Sequence, residues 1–200
     1  MSDSQLVGLA KDFFQNSLDS SPTSAIMRGH KKYFDQIEEL TEEQFQKEKD
    51  IVDTFIQRLN AIEKDNLTSR EKVTHGMLEF ALSSNKDSLL DRSWEFGAGV
   101  AGFTGFLIDY NQQMFVPDSE SADMMLKRLE LYKRLYTQIA DVQKVGLNNN
   151  RVATERNLLR TIDQLENYLA SSLDQDPLLL VNFSPEISDS EISEWKDKAK

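Results

Sequence analysis

Three times in this chain a Ser or Thr stands three residues ahead of a Glu or Gln at the head of an apolar series: Thr41 with Gln44, Thr68 with Glu71, and Ser188 with Glu191. A hydroxyl in that place accepts from the backbone N–H of the third helical residue while the longer side chain reaches back, closing the N-terminus of an α-helix. Phe45, Val52, Phe55, Ile56, Leu59 and Ile62 follow the first pair, Val73, Met77, Phe80 and Ala81 the second, and Ile192, Trp195 and Ala199 the third. Steps of three and four residues lay each set along one helical face. A chain punctuated in this way is committed to packing helices against one another.

The remaining segments extend the pattern. Leu6, Leu9, Ala10, Phe13, Phe14 and Leu18 predict an opening helix that stops before Ser20-Ser21-Pro22. The short connection from Lys64 to Leu67 predicts a helical hairpin between the two helices it joins. Asp118 suits the N-cap of a helix carrying Met125, Leu129, Tyr132, Tyr136 and Ile139 and ending at Gly146. After Asn148-Asn149-Asn150, the residues Val152, Leu159, Ile162, Leu165 and Leu169 predict a further helix, antiparallel to its predecessor. Asp176-Pro177 breaks it, and Pro177 to Pro185 reads as an extended link. The expected architecture is all-α, antiparallel helical hairpins forming a bundle in a single domain over residues 1–200. The last helix stops in mid-pattern at Lys200 with its Trp on the apolar face, which predicts that the sequence is the N-terminal portion of a longer protein.

Composition narrows the partners. Hydrophobic residues make up 39% and charged residues 28%, as in a folded domain. With 34 acidic against 23 basic residues the formal charge is −11, a field that repels a polyphosphate. The scattered Lys127, Arg128, Lys133 and Arg134 read as a solvated helix face, so nucleic acid is not an expected partner. No apolar run approaches the roughly 20 residues that a bilayer requires, so no membrane span is expected. Without cysteine there is no disulfide framework, and a soluble, cytoplasmic chain is the default expectation. A leader already removed would leave no trace, which keeps export of a longer parent open.

Between Asn85 and Pro117 the periodicity collapses into an irregular, glycine-rich and aromatic segment. Gly97-Ala98-Gly99-Val100-Ala101-Gly102 matches the letters of a phosphate-cradling loop, but no buried strand precedes it and no βαβ unit surrounds it, so dinucleotide binding is not expected. Trp94, Gly97, Gly99, Gly102, Phe103 and Tyr110 are instead the candidates for contact with a substrate or partner, because a long irregular apolar stretch is either buried by helices or shaped for a ligand. His30 and His75 are the only histidines and neither has a second histidine four residues away, so no zinc pair is formed on a helix. His30 reads as a surface residue and His75 as core-edge or exposed. The pairs Glu38-Glu39 and Glu42-Glu43 read as solubilising charge, and no nucleophile motif appears. No catalytic residue, cofactor or metal ligand is expected in this chain.

A wider resemblance is carried by Ser21-Pro22-Thr23-Ser24-Ala25, Leu59-Asn60-Ala61-Ile62 leading to Leu67-Thr68-Ser69-Arg70, and Val116-Pro117. The block Ala122 to Tyr136 around Arg128-Leu129 continues it, followed by Lys144-Val145-Gly146-Leu147, Ile162-Asp163-Gln164-Leu165 and Asp176-Pro177-Leu178. In order and spacing the chain resembles the N-terminal part of the bacterial family known as domain of unknown function 885, whose full-length members resemble zinc metallopeptidases with an H-E-x-x-H helix in the C-terminal half. This sequence contains no H-E-x-x-H. The resemblance therefore implies a cleft wall or scaffold without catalytic residues, zinc only in a full-length parent, the C-terminal remainder as partner and a peptide as substrate of the whole enzyme. The alternative is a stand-alone helical interaction module that binds another protein through the glycine-rich segment and the face of Ile192, Trp195 and Ala199.

Overall fold

A computed structural model describes residues 5–96 and 110–200, and the chain within it groups into two compact units. The first comprises Met1–Ser20 and Leu40–Ser93, the second Ser21–Glu39 and Trp94–Lys200. The described residues are overwhelmingly α-helical, with two strands of two residues each.

Three helices build the first unit: α1 (Gln5–Asp19), α3 (Glu42–Asn60) and α4 (Ser69–Asp91), with α2 (Pro22–Met27) lying in the intervening chain of the second unit. Thr68 and Glu71 form the full reciprocal cap on α4. Thr41 caps α3 by accepting from the Gln44 N–H, but the Gln44 amide turns forward to Glu48, so the returning half of that cap is missing. Leu6 and Leu9 of α1, Val52, Phe55 and Leu59 of α3, and Leu78 and Leu82 of α4 close the core. Phe13 meets Phe55 edge to face at 5.7 Å. Outside the core, Asp12 pairs with Arg58, Asp53 with Lys86, and Glu42 with Arg92. Arg92 adopts the left-handed conformation (φ 51°) that ends α4.

The second unit is organised on α5 (Ser119–Asn148), a helix of 30 residues capped by Asp118, whose carboxylate accepts from the Ser121 N–H. Ala122, Met125, Tyr132, Leu135 and Ile139 form its buried line. Around it lie α2 (Pro22–Met27), α6 (Glu155–Ala170), α7 (Asp189–Ala199) and the strands β1 (Phe115–Val116) and β2 (Asn182–Phe183). The strands pair in parallel, Phe115 opposite Asn182 and Val116 opposite Phe183. Ser188 and Glu191 form the full cap on α7.

Several boundaries differ from the sequence expectation. The helix α4 continues to Asp91, past Asn85 where apolar periodicity fades, because straight-chain and polar residues keep helical geometry without needing a buried face. At the other end residues 110–113 are again helical. Residues 177–185 are not a plain extended link: Pro177–Leu179 makes a 3-10 turn whose first amide is accepted by the Asp176 side chain, and β2 follows. Gly146 does not end α5, which runs on to Asn148. Trp195 does not face outward. Its indole N–H donates to the Ala122 carbonyl at 2.7 Å and its ring meets Phe183 edge on at 5.2 Å, so Trp195 itself packs within the chain, with Ile192 and Ala199 half-buried beside it.

Truncating Leu82 to Ala should remove about 2–5 kcal/mol from the first unit, read as a lower urea midpoint, since the side chain is fully enclosed. Acid should act elsewhere. The Asp118 carboxyl is held down to about 2 by its hydrogen bond from Lys31 and then those from Ser121. A carboxyl lowered in the folded state stabilises above its ordinary value and ceases to do so as pH falls through the lowered one. The Ser121 amide of the α5 cap should therefore lose hydrogen-exchange protection as pH drops from about 4 towards about 2.

Candidate functional site

The second unit holds its functional candidates on a polar framework inside the helices. Arg128 lies on the buried line of α5, three residues after Met125 and four before Tyr132, and is wholly enclosed. Its guanidinium donates to the Thr23 hydroxyl at 2.6 Å and to the Gln36 carbonyl, and lies 5.8 Å from the Tyr132 ring. The Thr23 hydroxyl donates onward to Glu38 at 2.7 Å, and the Thr23 N–H donates to the same carboxylate at 2.9 Å. Arg128 and Glu38 are not solvated charge: both are buried. The heptad-like position of Arg128 between Met125 and Tyr132 was the available signal, and its charge masked it.

The segment 97–109 is flanked in sequence by described anchors. On its N-terminal side, the fully buried Glu95 carboxylate pairs with Arg151, and its backbone carbonyl lies against Gly146. On its C-terminal side, Asn111 is completely buried, accepts the Tyr132 hydroxyl at 3.1 Å and donates to the Leu178 carbonyl at 2.7 Å. Trp94 and Tyr110 are half-buried beside these anchors. Gly97, Gly99, Gly102 and Phe103 lie outside the described residues.

Leu178 ties this network to a group of phenols. The Asp176 carboxylate accepts from the Leu178 N–H at 2.9 Å and from the Tyr168 hydroxyl at 2.8 Å. The Tyr132 and Tyr136 rings stand 6.1 Å apart, and the buried Tyr136 hydroxyl has no hydrogen-bond partner. Burial pushes all three phenols up, with Asp176 adding to the rise at Tyr136 and Tyr168. These hydroxyls therefore stay protonated near neutrality and serve as donors and acceptors, not as bases. The sequence reading missed Asn111, Tyr168 and Asp176 because no local spacing brings three distant segments together.

Among the described residues no group of three or more His, Asp and Glu side chains is placed to hold a metal ion. His75 is buried in α4 with Nδ1 3.8 Å from Glu79 and Nε2 unpartnered, against the expectation of a core-edge or exposed residue. His30 is half-buried and meets Tyr33 edge on at 6.5 Å. This donor set does not fit a zinc centre, which takes four ligands or three and a water.

Gly146 gives the framework its sharpest steric test. A Cβ there would stand 2.7 Å from the backbone oxygens of both Arg151 and Glu95. Gly to Ala within a helix ordinarily stabilises by up to about 1 kcal/mol. Gly146→Ala should reverse that sign and lower the thermal midpoint of the chain, whereas Gly76→Ala, with open space around the position, should leave it unchanged or raise it.

No curated protein and no solved structure matches the chain. The family described as "Bacterial protein of unknown function (DUF885)" matches residues 22–200, nearly the whole length, and the chain belongs to that family.

Proposed function

We propose that the chain is a non-catalytic scaffold, the helical N-terminal region of a longer zinc-dependent peptidase whose metal and catalytic residues lie elsewhere, and that it contributes a wall of the substrate cleft. The observation that carries this reading is the outward stripe of α6. Leu158, Leu159, Ile162 and Leu169 are exposed, Leu159 at 55% and Leu169 at 78%, while the helix turns Thr161 inward. Covering a large aliphatic side chain is worth roughly 1.5–3 kcal/mol, so a stripe of four is a strong docking surface. The C-terminal remainder of the same polypeptide is the occupant that agrees with the family resemblance. The polar framework agrees with a bracing role, since its buried charges tie helices of the second unit to one another.

A stand-alone interaction module is the rival, and the same stripe would then receive a different protein. The test is a comparison of the 200-residue chain with the product of the complete gene. The chain alone should bind no zinc, cleave no peptide and self-associate, and Leu159→Glu with Ile162→Glu should make it monodisperse. In the complete product the same pair should lower the thermal midpoint and peptide turnover while zinc content stays stoichiometric. Stoichiometric zinc on the 200-residue chain, or a complete gene product that neither holds zinc nor cleaves peptides, rejects the proposal.

A further inference from the structure

The helix α4 is apolar on two opposite faces. Leu78 and Leu82 point into the core that α1 and α3 share. Val73, Met77 and Phe80 stand on the other side, one above the next at steps of four and three, and are 63%, 69% and 76% exposed. A surface helix ordinarily turns polar residues to solvent, so a helix that is apolar on both sides is suited to lie between two layers. The first unit supplies one of them. Three large side chains that adjoin one another on an exposed face mark a contact with a further protein surface.

The charges at the two ends of this stripe select the second layer. At the same spacing the stripe runs from Arg70 through Val73, Met77, Phe80 and Ser84 to Asp87, and all six are exposed. Arg70 and Asp87 belong to no ion pair among the described residues, whereas Lys86 and Arg92 nearby are already paired with Asp53 and Glu42. Laid antiparallel against itself, the stripe meets its complement at each level: Arg70 opposite Asp87, Val73 opposite Ser84, Met77 opposite Phe80. Alternating steps of three and four are the repeat by which the side chains of two helices interlock. A parallel pair would set Arg70 against Arg70 and Asp87 against Asp87, which is repulsive. The antiparallel pair uses the same patch on both copies and closes at two.

We infer that the outer face of α4 is a homodimer interface, on which the α4 helices of two copies of this chain pack antiparallel, Met77 against the partner's Phe80 and Arg70 against the partner's Asp87. The interface belongs to the first unit alone. It stands apart from the peptidase reading, because it uses neither the α6 stripe nor zinc.

The test is sedimentation equilibrium over a range of concentrations, on the 200-residue chain carrying Leu159→Glu with Ile162→Glu. That background silences the α6 stripe, so association through α4 is read by itself and its failure is distinct from failure of the scaffold reading. A monomer–dimer equilibrium with no larger species is expected. Adding Met77→Glu with Phe80→Glu should leave only monomer, and because both side chains are exposed in the single chain its helical circular dichroism should be unchanged. Arg70→Glu acts at both ends of the two-fold pair and should weaken the dimer roughly tenfold or more, as should Asp87→Arg. The two together restore opposite charges and should return the dissociation constant to within about threefold of its starting value. A chain that stays monomeric in this background overturns the inference, including the case in which the remainder of a longer protein covers the stripe instead. So does a dimer that survives Met77→Glu with Phe80→Glu, or a double charge reversal that fails to restore it.

Discussion

A guanidinium with no exposure to solvent sits in the middle of the second unit, and the surrounding chain satisfies its two terminal nitrogens while its Nε has no partner. Burying Arg128 removes the hydration of a full charge, which is tolerable only where hydrogen bonds and an opposite charge replace the water. Thr23 and the Gln36 carbonyl take its donors, and Glu38 supplies the counter-charge one hydroxyl away. The residues that do so come from α2 and from the turns after it, so a segment with little regular structure is tied to α5 by charge and not by apolar area alone. Removing one member of such a set leaves the others buried and unpaired, a loss of about 3–5 kcal/mol.

The same device recurs at the ends of the glycine-rich segment. Glu95 with Arg151 and Asn111 with Tyr132 and Leu178 are enclosed polar contacts that cannot be exchanged for water without cost. Gly146 allows the Glu95 backbone to approach α5 where any side chain would collide. Trp94 and Tyr110, the described members of the candidate set, stand next to these anchors in sequence, and both are half-buried.

Satisfied and unsatisfied surfaces stand side by side in this unit. Trp195 covers its apolar face inside the chain and satisfies its N–H on Ala122, whereas the α6 stripe remains open. Arg128 and Glu95 have their counter-charges, whereas Asp176 has only neutral donors. The open stripe underlies the proposed scaffold role.

The sequence by itself determined the long helices and most of their starts, but not the short α2 or the helical residues 110–113. The caps at Thr41, Thr68, Asp118 and Ser188 are contacts within three residues, and the apolar spacing of α1, α3 and α5 follows from helix geometry, so both are legible without knowing the fold; on α4 the spaced Val73, Met77 and Phe80 lie exposed, and His75, Leu78 and Leu82 are buried instead. The absence of an H-E-x-x-H pair was equally plain. Only the tertiary structure decided which face of each helix is covered. The spacing of α6 is as amphipathic as any, yet its apolar stripe points outward, while charged Arg128 points in and Trp195 is enclosed. Periodicity names a face and cannot name what lies opposite it. Arg128 with Thr23, Asn111 with Leu178 and Tyr132 with Asn111 are separated by 105, 67 and 21 residues. Contacts of that range are set by packing, because no local spacing encodes which distant donor will meet which acceptor.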